Sequence, residues 1–305
     1  MMNNIISEKS RFTEDEIDIK KLLQILWHGK IFIVALTSVF SITAVIYSLI
    51  LPNVYQSNAL LSPVVESSSS QALGNIGGLA SLAGIDISSG TGGNVTKSLQ
   101  KARTFSFFRD NILPNIFLPD LVAMNSWDEE NNTIIYNEEI FNHKTQTWSR
   151  LPSNQKSHKL FLDITNIKEN NNGFVSVSVK HRSPYIAQAW TELIVEQLND
   201  FYRTKDKLEA QLAIDFLNTQ MAQTRHTEIK QVIAQLIQQK MQQLTLIEAN
   251  KFYVFSYLDS PLVMEEKVEP NRKSISILGA VLGGLLGILV ILIQHHLGYR
   301  KLNQV

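Results

Sequence analysis

The sequence predicts an α+β membrane protein in which two transmembrane helices flank an α/β base domain with a long helical extension. Ile31 to Leu51 and Ile275 to Ile293 are runs without a single charged residue. A bilayer core of about 30 Å takes roughly 20 apolar residues of helix, so either run is long enough to span. One such run could be a buried core helix. Two of them, separated by a polar middle, fit that reading poorly. The extension rests on a third observation: from Pro184 to about Gln223 there is no glycine and no further proline. Forty residues of helix would reach about 60 Å, more than a globular helix needs.

Composition alone conceals this organisation. The 305 residues carry 28 basic against 28 acidic side chains and are 44% hydrophobic, values of an ordinary soluble protein. The average blends two greasy segments with a middle rich in Asn, Gln and Ser. Balanced charge without a Lys/Arg stripe argues against nucleic acid as a partner. The absence of cysteine excludes disulfides, iron–sulfur clusters and thiolate zinc sites.

The first run is too long for a signal-peptide core, and Leu51-Pro52-Asn53 is a poor cleavage site, so it reads as an uncleaved anchor. Lys20, Lys21 and Lys30 precede it and no basic residue follows until Lys97, which places the N-terminus in the cytoplasm. The second run has basic residues on both sides. The expected layout is a cytoplasmic segment over 1–30, transmembrane helices over 31–51 and 275–293, an outer domain over 52–274 and a short cytoplasmic tail over 294–305. In a bacterium the outer side is the periplasm.

Residues 1–12 read as disordered, and Thr13 with Glu16 forms a capping box for a short helix. Ile19, Leu22, Leu23, Leu26 and Trp27 recur on one apolar face, which either lies in the membrane interface or packs on a neighbouring helix. Val54 to Val65 has strand composition. The stretch 66–95 holds seven of the fourteen glycines and no basic residue, and reads as a mobile loop or a short helix at about 76–84. Its glycines do not form a phosphate-binding loop. Val95 to Ile112 is expected to be helical, and 125–157 irregular with Trp127 and Trp148 as anchors.

Lys159 to Ile167 and Gly173 to Lys180 are expected to pair as a hairpin about Asn170-Asn171-Asn172-Gly173. With 54–65 this makes a sheet of at least three strands. Ser183 as N-cap and Pro184 at the first helical position open the long helix. Trp190, Ile194, Phe201, Leu208, Leu212 and Phe216 form its apolar stripe, the candidate surface for oligomer and arm packing. A kink is expected at 221–228, then a second stripe of Ile229, Val232, Leu236, Leu244 and Ile247. Lys251 to Leu258 reads as a strand returning to the sheet, so the base spans about 54–183 and 251–260 and the arm about 184–250. In the second apolar run Gly279, Gly283 and Gly287 fall four apart with Gly284 beside them: either a helix-contact face or plain composition.

No catalytic constellation is visible. The seven histidines lack metal-ligand spacing, no nucleophile elbow is present, and the carboxylates are scattered. Neither run contains an ionisable group, which argues against an ion-coupled transporter. No catalytic residue, metal ligand or cofactor is therefore expected.

The order of several short segments resembles the Wzz family of polysaccharide chain-length determinants, the polysaccharide co-polymerases of bacterial inner membranes. They are Asp15-Glu16-Ile17-Asp18-Ile19 ahead of Leu26-Trp27, then Tyr47-Ser48-Leu49 with Pro52 and Tyr55. Ser183-Pro184 leads into a helix bearing Asn199, and Pro270-Asn271-Arg272-Lys273 runs into the glycine-rich span. The chain departs from the family in a thinner proline-rich approach to that span and in the elaborated 66–95 stretch. The resemblance implies a homo-oligomeric ring without catalytic residues, packed in membrane lipid. It also implies control of the modal length of O antigen or a related glycan, made by a Wzy-type polymerase as lipid-linked polysaccharide on undecaprenyl diphosphate. The alternatives are an export adaptor beside an ABC transporter and a two-span sensor. The tail after Ile293 is too short for the kinase domain of capsule-type relatives.

Overall fold

The computed structural model describes residues 19–64, 91–250 and 252–302. The Thr13/Glu16 capping pair and most of the 66–95 stretch lie outside them. Two compact units result, Met1–Pro52 with Glu269–Val305, and Asn53–Val268. Two long apolar helices thus bracket a mixed α/β domain with extended helices.

In the first unit, α1 (Ile19–His28) is followed at Gly29 by α2 (Lys30–Ile50), and the C-terminal helix spans Arg272–Leu302. The long helices at Lys30–Ile50 and Arg272–His295 are long and apolar enough to cross a membrane. Their apolar side chains are mostly exposed, among them Val39, Ile42, Leu278 and Leu285. A soluble protein would bury such surface, at about 25 cal/mol per Å². Together the two helices support a two-pass membrane topology.

The second unit is built on a four-stranded antiparallel sheet. Its strand β1 is Tyr55–Pro63, and after helix α3 (Thr91–Ala102) come two small hairpins, β2 (Met124–Asp128) with β3 (Thr133–Tyr136) and β4 (Phe141–Asn142) with β5 (Thr147–Trp148). Helix α4 (Asn154–Ile164) leads into β6 (Thr165–Glu169) and β7 (Val175–His181). Helices α5 (Pro184–Gln223) and α6 (Thr227–Ala249) then precede β8 (Phe255–Asp259). The sheet order is β6-β7-β1-β8, with Tyr55 opposite His181 and Leu61 opposite both Val175 and Tyr257.

Alternation fixes which face is buried: Tyr55, Ser57, Ala59 and Leu61 point inward from β1, and Val175, Val177 and Val179 from β7. Onto this face pack Trp190, Ile194, Val195 and Leu198 of α5, with Phe107, Phe108, Ile112, Phe161 and Phe255 completing the core. Each fully buried aromatic contributes on the order of 2–3 kcal/mol of transfer free energy.

Five expectations need correction. Residues 159–164 are not strand but the end of α4, whose N-cap Ser153 accepts from the Lys156 amide. Facing Ser157 and Phe161, one turn apart, are both buried, so helical period wins over the short alternation in LFLDIT. The hairpin proper runs from Thr165 to His181, closed by Asn170 and Gly173, whose φ of 78° is one that glycine adopts without strain. The 125–157 stretch is not irregular but holds the two hairpins. Asp128 Oδ1 accepts from the amides of Glu130 and Asn131, and Asn142 Oδ1 from those of Lys144 and Thr145, which shapes both turns. At 221–228 the helix is interrupted rather than kinked, with Thr224 extended between α5 and α6. Helix starts at Thr91, inside the stretch read as loop, and Ser183 opens α5 without a side-chain cap bond.

Candidate functional site

The glycines of the second apolar run meet the first. A Cβ on Gly283 would lie 2.8 Å from Phe40 Cβ, 2.9 Å from Thr37 Cα and 3.3 Å from the Leu36 carbonyl oxygen. On Gly279 it would collide with Ala44 Cβ and reach 3.2 Å from the Phe40 carbonyl, and on Gly287 it would stand 3.1 Å from Ile33 Cα. Positions 279, 283 and 287 thus meet 44, 37–40 and 33 in antiparallel order. The missing side chains let two backbones approach, the arrangement that gains dispersion energy where lipid removes the hydrophobic drive. Gly284 is different: its added Cβ would make ordinary contact, 3.7 Å from Thr37 Oγ1. Thr37 returns its own hydroxyl to the Ile33 carbonyl at 2.7 Å, which satisfies that hydroxyl within its own helix.

The stripe of α5 divides in two. Trp190 and Ile194 are buried and Phe201 packs against the same core, so this part holds the base together. Leu208, Leu212 and Phe216 are 59%, 59% and 62% exposed. Helix α6 doubles back along α5 but leaves this side uncovered: the buried residues of the paired stretch are Ala210 and Ile214 on α5 and Ile233 and Ile247 on α6. The pair is tied near the base by Arg203 Nη2 to the Asn250 carbonyl, 2.8 Å, and by a Lys207–Glu248 ion pair. On α6, Val232, Leu236 and Met241 are also exposed. The arm therefore presents two rows of large apolar side chains with no cover among the described residues.

Two buried polar groups fasten the arm and the hairpins to the sheet. Asn199 on α5 accepts at Oδ1 from the amides of Tyr253, Val254 and Phe255 and donates from Nδ2 to the Phe255 carbonyl at 3.1 Å. It receives the chain as it leaves the arm and re-enters the sheet. His181, at the end of β7, accepts at Nδ1 from the Ser183 amide and donates from Nε2 to the Asp120 carbonyl, each at 3.1 Å. Burial drives its pKa from 6.5 to about 4, so the ring is neutral. Asp120 itself takes the Tyr136 hydroxyl at 2.6 Å; burial raises its pKa, against the hydrogen bond from Tyr136 and the charge of His143. Arg182 adds bonds to the carbonyls of Met124, 2.7 Å, and Asn125. Sequence reasoning missed His181, Asp120 and Arg182; the only visible signal was a histidine closing a run of alternating valines.

Among the described residues no group of three or more His, Asp or Glu side chains could hold a metal. What the residues do build is packing surface: a glycine seam between two apolar helices, and an arm with uncovered leucines and phenylalanine.

Among solved structures, the chain is similar to a full-length bacterial polysaccharide co-polymerase, with 14% identity, TM-score 0.37, and coverage of 91% of this chain and 97% of that one. It is also similar to a fragment of WzzB, polysaccharide co-polymerase from Salmonella Typhimurium, with 15% identity, TM-score 0.28, and coverage of 71% and 100%. No curated protein matches the chain. Residues 15–106, which run from before α1 through the first apolar helix and β1 to just past the end of α3, match the family model Wzz, chain length determinant protein.

Proposed function

We propose that this chain is a Wzz-family polysaccharide co-polymerase of the bacterial inner membrane. In this reading both termini are cytoplasmic and the α/β unit with its arm stands in the periplasm. The chain sets the modal length of O antigen or a related surface glycan while a Wzy-type polymerase extends it on undecaprenyl diphosphate. It does so without catalytic residues, as a ring of identical subunits. The observation that carries the reading is the Wzz match over residues 15–106, joined to two apolar helices that bracket a domain with a long arm. The uncovered Leu208, Leu212 and Phe216 support self-association, because a closed ring would give each stripe a partner.

The test is a lipopolysaccharide gel from the source bacterium with and without the gene. Loss of a banded length cluster in favour of a short-biased ladder is the expected result. An unchanged ladder would overturn the O-antigen assignment, and complete loss of polymer would point instead to an export adaptor.

A further inference from the structure

The two edges of the four-stranded sheet carry opposite charge. One edge is β6, flanked by α3 and α4. Lys97 on α3, Arg103 just past it, Lys156 and Lys159 on α4 and Lys168 on β6 are all exposed there. Against these five stand Asp163 and Glu169, while Asp110 is already paired with Arg109 at 2.6 Å. None of the five cations forms an ion pair among the described residues.

The far edge is β8. Glu192 and Glu196, one turn apart on α5, stand beside it. Burial holds the Tyr257 hydroxyl of β8 at a pKa of about 12, and the charges of these two carboxylates add to the rise. Asp259 ends the strand. Glu265 and Glu266 follow as the chain runs back along β1, where Ser57 Oγ donates to the Leu262 carbonyl at 2.8 Å. All five carboxylates are exposed, and none has an ion-pair partner among the described residues. The cation of this stretch is Lys267, whose ammonium donates to Asn53 Oδ1 at 3.0 Å. From Pro184 to Tyr202, α5 has no Lys or Arg to offset the pair.

Both edges are blunted as backbone ladders. Arg103 covers the Ile167 carbonyl of β6, and Asn199 takes the amide and the carbonyl of Phe255 in β8. What each edge offers a partner is therefore its side chains.

We infer that the β6 edge of one copy of this chain docks beside the β8 edge of a second copy, with Lys156 and Lys159 facing Glu192 and Glu196. Charge complementarity selects the occupant, because two β6 edges or two β8 edges would repel each other. The interface is then head-to-tail, the kind that closes into a ring or runs on as a filament, rather than a two-fold pair. The inference rests on the self-association proposed above and adds which faces meet. Exposed ion pairs are individually weak, so these charges set direction and partner choice rather than the bulk of the affinity.

The test uses the full-length protein in detergent, with its mass read by light scattering over a dilution series. Glu192→Lys with Glu196→Lys reverses one edge, and Lys156→Glu with Lys159→Glu reverses the other. All four side chains are exposed, so circular-dichroism melts should match the wild type. Each reversed chain alone should dissociate at a concentration roughly tenfold or more above that of the wild type. Mixed in equal amounts, the two should assemble again, because each then meets its complement. Assembly of both reversed chains at the wild-type concentration would overturn the inference. So would a loss of assembly that mixing does not restore, since the two edges would then not face each other. A wild-type chain that stays monomeric at every concentration would remove the proposed ring itself, and this inference with it.

Discussion

At the scale of single residues, the molecule depends on a few side chains that satisfy backbone groups where elements change direction. Asn199 meets four backbone groups at the return from arm to sheet. Replacing it by Leu keeps the volume roughly but strands those groups, and each buried unsatisfied group costs on the order of 1–3 kcal/mol. Asn199→Leu should therefore lower the urea midpoint of the detergent-solubilised protein by an amount worth about 3 kcal/mol or more; a change under about 1 kcal/mol would contradict the role. His181 predicts an acid limb. Burial lowers its folded value below the unfolded one, so the stability it contributes is complete above pH 6.5 and is withdrawn as pH falls through about 4. The size of the loss is about 3 kcal/mol, and urea melts between pH 7 and 4 should show it. His181→Asn should flatten that limb; an unchanged limb would assign the acid loss to other groups. Gly283 and Gly284 make a matched pair. Gly283→Leu meets the backbone of α2 and should cost on the order of 1–3 kcal/mol, seen as a lowered melting temperature in detergent, while Gly284→Ala should leave it nearly unchanged.

At the scale of elements, the arm invites a prediction that separates folding from assembly. Leu212→Glu with Phe216→Glu alters side chains already exposed on the single chain, so its own stability should move by less than about 1 kcal/mol. If the stripe is covered by a neighbouring subunit, the mass measured by light scattering in detergent should fall towards the monomer. An unchanged assembly would place the interface elsewhere. Elements were legible in the sequence in proportion to their length. The two apolar runs and α5 are long enough that chance does not imitate them, and in the hairpin β7 and the turn at Asn170–Gly173 were legible. Residues 159–164 were read as strand because six residues cannot separate a period of two from one of 3.6, and the deciding facts are the Ser153 cap and the burial of Phe161. The hairpins over 124–148 escaped because their strands are two to five residues long and are held by Asp128 and Asn142 turns rather than by an alternating face. The glycine spacing announced a contact face but was silent on its partner. The antiparallel pairing with Ile33, Thr37, Phe40 and Ala44 could be seen only in three dimensions.

At the scale of the whole molecule, two apolar helices anchor a polar α/β unit whose longest element runs past the sheet it packs on. The buried start of α5 belongs to the base, and its uncovered end is the surface that the proposed ring would cover. In that proposal the length of a glycan is set by something larger than one chain. The most direct measurement is complementation of a strain lacking the gene, scored on a lipopolysaccharide gel at matched membrane abundance. The account predicts that the wild-type chain restores a banded length cluster, and that the Leu212→Glu, Phe216→Glu chain, folded but unable to assemble, leaves a short-biased ladder. A ladder that the gene's loss does not alter, or one that the altered arm restores in full, would contradict it.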